Sequence, residues 1–215
     1  MNPLCRTLSQ AGFGLSLLSQ ALAQTLPSPL PTGASVVAGQ ASIAQAGRVM
    51  TITQTTPKLA TNWQSFNIGA GHTVNFVQPS ASAVALNRVT GADVSTIQGA
   101  LNANGQVFLV NPNGVLFTPT AQVNVGSLVA STLNLSNDDF LQGNYRFTSP
   151  AAEGATGLTA TASANAAIVN QGHIVAVGEG GAAGAGSTST SKAAAGGTIA
   201  LLAAKVSHSG SLQAP

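Results

Sequence analysis

At 215 residues the chain is long enough for one sizeable core, yet only 6% of its residues are charged, against about a quarter in ordinary soluble domains. Its formal charge of +2 comes from seven Lys and Arg scattered between Arg6 and Lys205, and no basic patch offers a path to a phosphate backbone, so nucleic-acid binding is excluded as a reading. No apolar stretch reaches the ~20 residues of a spanning helix, and the polar content is Asn, Gln, Ser and Thr with 24 Gly, a mixture that suits an all-β solenoid of stacked strands and tight corners.

In chain order, residues 1–23 read as an export signal: Arg6 gives a positive start, residues 11–18 a short apolar segment, and Ala21-Leu22-Ala23 a small-residue cleavage site that leaves Gln24 first in the mature chain. The one cysteine, Cys5, lies inside this leader, so the mature chain is expected to hold no disulfide and no thiolate metal site. Residues 25–32, with Pro27, Pro29 and Pro31, read as a linker. Short β-prone runs then recur at 35–37, 49–53, 73–77, 83–89, 107–110, 115–117, 123–125 and 127–132. Residues 49–54 alternate apolar and polar, so the first amphipathic strands, 35–53, are expected to close the N-terminal end of the stack.

Asn62 to Gly69 reads as a corner in which Trp63, the only tryptophan, and Phe66 plug the core. Within 95–117, two Asn-Gly pairs, Asn104-Gly105 and Asn113-Gly114, call for positive φ, and Pro112 holds Asn111 extended, so Asn111-Pro112-Asn113-Gly114 reads as a tight corner. Further on, Ser136 or Asn137 caps a single helical turn that Asp138 and Asp139 favour and Gly143 ends. Beyond Pro150, residues 151–167 and 178–197 are mostly Ala, Gly, Ser and Thr. Residues 170–176 and 208–214 form a degenerate repeat at an offset of 208 − 170 = 38, with a Gly-rich insertion between the copies. A rung of ~20 residues would give about nine rungs in the mature chain.

Catalytic chemistry finds little support. Asp138 and Asp139 are neighbours on one short turn and diverge, whereas glycan-cleaving carboxylates must converge. His72, His173 and His208 lie in unrelated contexts, no Gly-x-Ser-x-Gly motif is present, and the carboxylates are too dispersed for a calcium cage. Gly178-Glu179-Gly180-Gly181 lacks the strand and helix of a phosphate loop. Asn134-Leu135-Ser136 matches a glycosylation sequon. No catalytic residue, no metal and no cofactor is expected.

Several blocks in order carry a family resemblance: Asn62 to Gly69 (NWQSFNIG), Asn87 to Gly91 (NRVTG), the 95–117 stretch with its Asn-Pro-Asn-Gly corner, 121–132 (AQVNVGSLVAST) and 140–147 (FLQGNYRF). Over residues 33–147 the chain resembles the two-partner secretion (TPS) domain of filamentous-haemagglutinin-type exoproteins, also called the haemagglutination activity domain. The resemblance implies a right-handed parallel β-helix with an N-terminal cap and small extra-helical β elements. It implies a signal peptide at 1–23, the secretion domain at 24–150 and continuing Gly/Ala-rich β-helix repeats at 151–215. The chain would cross the inner membrane by the Sec translocon and be recognised in the periplasm by the receptor domains of an outer-membrane β-barrel transporter. It would then fold outside, secreted or held at the cell surface. Asn111, Pro112, Asn113, Gly114, Asn62 and Trp63 are the candidates for transporter recognition or corner structure, and Ala23 and Gln24 flank the cleavage site. The alternative is an adhesin that itself binds host cells or glycans.

Overall fold

The computed structural model describes residues 28–149, 166–178 and 196–215, and the fold is all-β apart from one short helix. Its strands are three to six residues long because β-branched and apolar runs are cut at close intervals by Gly, Asn, Pro and Ser. The chain opens with β1 (Ser35–Ala38), β2 (Ala41–Ala46), β3 (Val49–Gln54) and β4 (Lys58–Trp63). It continues with β5 (Thr73–Val77), β6 (Val84–Val89), β7 (Ser95–Ile97), β8 (Ala100–Ala103), β9 (Gln106–Val110) and β10 (Val115–Phe117). After β11 (Gln122–Val125) and β12 (Ser127–Ser131) comes the helix α1 (Asn137–Gln142). The last strands are β13 (Ala167–Asn170), β14 (His173–Ala176), β15 (Ile199–Leu202), β16 (Lys205–His208) and β17 (Ser211–Gln213).

Three sheets collect these strands: six-stranded β1-β4-β6-β9-β12-β15, four-stranded β16-β13-β10-β7, and seven-stranded β17-β14-β11-β8-β5-β3-β2. From β7 onward the chain visits the four-, seven- and six-stranded sheets in that order on each pass. One pass is short where nothing is inserted: Ser95 pairs with Val115, a step of 115 − 95 = 20 residues. The repeat at offset 38 is a true register, with Asn170 beside His208 and Ile174 beside Leu212. Among the named strands only β1 with β4 and β2 with β3 pair antiparallel, so the N-terminal end closes with two reversed edge strands.

Two expectations need correction. Among the described residues six parallel strands, not about nine, stack in the seven-stranded sheet, because the earlier passes carry long corners, such as the 64–72 connection between β4 and β5, and the later ones carry insertions. The proposed linker is not free: Leu30 is fully buried, Thr32 bridges Ser65, and the Gly69 amide donates to Pro29 O at 2.7 Å. Residues 25–27 lie outside the described residues.

Inward-facing residues of all three sheets form the main core, including Ile52, Leu59, Ile97, Leu101, Val107, Phe117, Leu128 and Ile174, with Phe66 added from the 64–72 connection. The six-stranded sheet is buried on its other face as well. There Ala60, Val84, Leu86, Phe108 and Val129 meet Leu135 and Phe140 of the helical segment, and Phe108 packs edge-on to Tyr145 at 4.9 Å. This double burial is why every residue of β6 is buried although the strand reads Val-Ala-Leu-Asn-Arg-Val. The seven-stranded sheet keeps a wet outer face, where Asn75, Asn102 and Asn124 stand in register and Asn102 Nδ2 donates to Asn75 Oδ1 at 2.9 Å. α1 forms as its sequence requires: Ser136 Oγ accepts from the Asp139 amide at 3.1 Å, and Gly143 ends the helix at φ 82°.

Candidate functional site

The Asn111-Pro112-Asn113-Gly114 corner carries the chain from the six-stranded to the four-stranded sheet. Asn111 is fully buried, and its side chain uses both ends. Nδ2 donates to Asp93 O and Ser95 Oγ, each at 2.9 Å, while Oδ1 accepts from the Asn113 amide at 2.9 Å. Asn113 Nδ2 donates to Gly91 O at 2.9 Å, and the Gly114 amide donates to Asn111 O at 3.0 Å, closing the turn. Gly114 takes φ 119°, and a Cβ there would stand 2.7 Å from Ala167 O, so both conformation and space demand glycine. The corner therefore holds the preceding pass below and the following pass above.

Blocks far apart in sequence meet in this column. Thr90 caps the end of the preceding pass by donating from its amide to Trp63 O at 2.8 Å, and a Cβ on Gly91 would collide with Gln64 O. One pass earlier, Asn67 Oδ1 accepts from the Thr96 amide at 2.9 Å. Trp63 and Asn62 are the last two residues of β4 and not part of the turn, which starts at Gln64; the run Leu59 to Trp63 is held as strand by pairing with β6 through Val89. Trp63 is buried against Phe66, ring centroids 5.6 Å apart and nearly perpendicular, and its Nε1 donates to Asn87 Oδ1 at 3.0 Å. Asn62 faces the other side of the sheet. Its Oδ1 accepts from Arg88 Nη1 at 3.0 Å, and the same guanidinium donates to Asn137 Oδ1 at 3.1 Å and to Leu135 O. Arg88 thus ties β4 and β6 to the start of α1, while Lys58 Nζ donates to Phe140 O and Leu141 O at its end.

A second column escaped the sequence reading. At the corner from the seven- to the six-stranded sheet, buried Gln54 and Gln78 stack, Gln78 Nε2 donating to Gln54 Oε1 at 3.1 Å and to Ala83 O at 3.1 Å. Asn104 continues the stack, pairing its amide with the Gln78 backbone: Oδ1 accepts from Gln78 N at 2.7 Å and Nδ2 donates to Gln78 O at 2.8 Å. Here the expected positive φ at Asn104-Gly105 does not occur; only Gly114 of the two pairs adopts it, and among the described residues no non-glycine residue does. Gly105 is required for space instead, since a Cβ would stand 2.7 Å from Ala83 O. Its amide donates to Gln78 Oε1 at 3.0 Å. Polar residues recurring just after or just before a strand end were the available signal.

The other candidates sit apart from these columns. Asp139 faces Ser136 Oγ at 3.0 Å and Arg146 Nε at 4.0 Å, and Asp138 is exposed on the first turn of α1. Partial burial pushes the Tyr145 phenol above its ordinary value of 10.0. Asn134 of the sequon is buried and pairs through its backbone with Thr148. His208 lies at the end of β16, its Nδ1 3.1 Å from Asn170 Nδ2. Among the described residues no group of three His, Cys, Asp or Glu could hold a metal ion. The cleavage site at Ala23 and Gln24, the whole 1–23 leader and Glu179 to Gly181 lie outside the described residues.

A family model described as the TPS secretion domain matches residues 28–215. A heme/hemopexin-binding protein of Haemophilus influenzae is 52% identical over 106 residues, 49% of this chain and 12% of that protein. A second heme/hemopexin-binding protein from that organism is 48% identical over 99 residues, 46% of this chain and 11% of its own length. The match thus spans about an eighth of these curated relatives. The crystal structure of the HMW1 secretion domain from Haemophilus influenzae is similar with a TM-score of 0.67 at 29% identity, covering 86% of this chain and 44% of that one.

Proposed function

The chain belongs to the TPS secretion domain family, the secretion domains of two-partner-secreted exoproteins, and from that membership we propose that it is the module an outer-membrane β-barrel transporter recognises and that nucleates folding outside the cell. A TPS domain marks an exoprotein that passes through the cell envelope with a partner transporter. The family match from residue 28 to 215 is the observation that carries the reading.

In this account residues 1–23 direct the chain through the Sec translocon and are cut after Ala23, residues 24–150 are the secretion domain, and 151–215 continue its repeats. The transporter's periplasmic receptor domains add a strand to the early edges. β1 and β2 are terminal strands of their sheets, and Val36 and Val37 are exposed on β1, which supports that choice. Outside the cell, whether released or retained at the surface, the three sheets close as the faces of one right-handed parallel β-helix, with β1 and β2 as its cap and the α1 segment as its extra-helical element. Repeated in-register parallel pairing supports this closure. Each completed pass removes inward apolar surface from water, which favours folding in one direction along the chain.

The corner acts by forming the folded column and not as a docking surface; the burial of Asn111, Pro112 and Gly114 supports this reading. Asn62 and Trp63 act in the same way, through Arg88 and Asn87. The test is the appearance of the chain in culture medium with and without co-expressed transporter. Release that needs the transporter is expected; equal release in its absence contradicts the reading.

A further inference from the structure

The chain contains two Asn-Gly pairs, and an Asn-Gly bond is the dipeptide most open to self-cyclisation because glycine offers no side chain to hinder attack of its nitrogen. We infer that Asn104-Gly105 and Asn113-Gly114 are deamidation sites that the fold closes. In an extended chain the glycine nitrogen, on losing its proton, forms a new bond to the Asn Cγ. The side-chain nitrogen takes up a proton and leaves as ammonia, giving a succinimide. Water then opens either ring carbonyl and leaves aspartate or isoaspartate. Water is the only co-reactant.

Both attacks are blocked in the folded protein. The Gly105 amide hydrogen is held by Gln78 Oε1 at 3.0 Å, and Asn104 is fixed at both ends by the Gln78 backbone, at 2.7 and 2.8 Å. The Gly114 amide hydrogen is held by Asn111 O at 3.0 Å, while Asn113 Nδ2 donates to Gly91 O at 2.9 Å and to Asn111 Oδ1 at 3.3 Å. Cyclisation at either pair requires the amide to rotate off these partners and the glycine N–H to be freed at the same moment. Asn111 needs no such protection: its successor is Pro112, which has no N–H and makes a poor nucleophile there.

The product is incompatible with the fold. A carboxylate at 113 sets an oxygen acceptor against Gly91 O where Nδ2 now donates, and one at 104 does the same against Gln78 O. Isoaspartate also inserts a methylene into the main chain at a corner that sets register. A molecule that deamidates before it folds is therefore lost to folding, which bounds the time it can remain unfolded. That consequence rests on the export reading above; the protection itself does not.

The test uses the full chain, one sample folded and one held unfolded in guanidinium chloride, both aged in warm neutral buffer and followed by peptide mass spectrometry. Asn104 and Asn113 are expected to convert in the unfolded sample and to convert at least about tenfold more slowly in the folded one, since opening either corner breaks several hydrogen bonds. Equal rates at either site overturn the protection there. Diluting the aged unfolded sample out of denaturant should leave modified molecules enriched in the fraction that does not refold; an even distribution overturns the folding block. Neither readout involves the transporter, so failure here and failure of the export reading are separable.

Discussion

Two corners bind successive passes of the chain, and they differ in how their polar groups are dispersed. At the corner between the six- and four-stranded sheets, Asn111 and Asn113 lie within one four-residue turn and reach back to Gly91, Asp93 and Ser95. At the corner between the seven- and six-stranded sheets, the same amide chemistry is spread over Gln54, Gln78 and Asn104, one residue per pass. Both columns satisfy backbone groups that the turning chain would otherwise leave buried and unpaired. A motif is therefore a local concentration of something the fold does along its length, and prominence in sequence does not measure structural weight.

The largest effect is expected at the buried end of β4, where the column that leads to the first corner starts. Trp63→Ala removes a fully buried indole and leaves Asn87 Oδ1 without its donor, so a loss of about 3–5 kcal/mol is expected in equilibrium denaturation. In the second column the steric role of glycine is tested by Gly126→Ala, whose Cβ would stand 2.8 Å from Gly105 O; a loss of about 1–3 kcal/mol is expected. Gly47→Ala is its counterpart in open space, where only the φ of 56° resists, and should cost about 1 kcal/mol. Equal costs would show that backbone proximity at the corner is not what selects glycine.

Thr61→Val sharpens the account in the other direction. The Thr61 hydroxyl is buried with no hydrogen-bond partner among the described residues, so the variant should be as stable as the parent or up to about 1 kcal/mol more stable. Smallest is the effect of Tyr145. Its phenol is held above its ordinary value of 10.0 by burial, so above that pH the unfolded chain loses this proton before the folded one does. Stability should then fall with rising pH, and Tyr145→Phe should flatten that fall in unfolding curves taken across the alkaline range.

Much of this was legible in the residues. The alternating run 49–54 and the short β-branched and aromatic run 115–117 mark their own strands, and the cap pair Ser136 and Gly143 marks α1, because these signals are local. β2, with its sequence Ala-Ser-Ile-Ala-Gln-Ala, and β8, Ala-Leu-Asn-Ala, carry no comparable local signal; pairing with β3 and with β5 and β11 makes them strands. The Asn-Pro-Asn-Gly corner was visible because Pro112 fixes its own φ and Gly114 admits the positive φ that the turn takes. The Gln54–Gln78–Asn104 column was not, since its members lie 78 − 54 = 24 and 104 − 78 = 26 residues apart and become neighbours only through the register. Arg88 illustrates the same limit: a charged residue in a strand reads as exposed until the helical segment covers that face of the sheet.

The most direct test of the account is equilibrium denaturation of Gln78→Ala beside Asn111→Ala. Gln78→Ala strips the Gly105 amide of its acceptor and Gln54 Oε1 and Ala83 O of a donor; Asn111→Ala strips Asp93 O and Ser95 Oγ of a donor and the Asn113 amide of its acceptor. Each is expected to lose about 2–4 kcal/mol, and the two to differ by less than about 1 kcal/mol. A Gln78→Ala protein as stable as the parent, beside an Asn111→Ala protein that is not, would contradict the equivalence of the two corners.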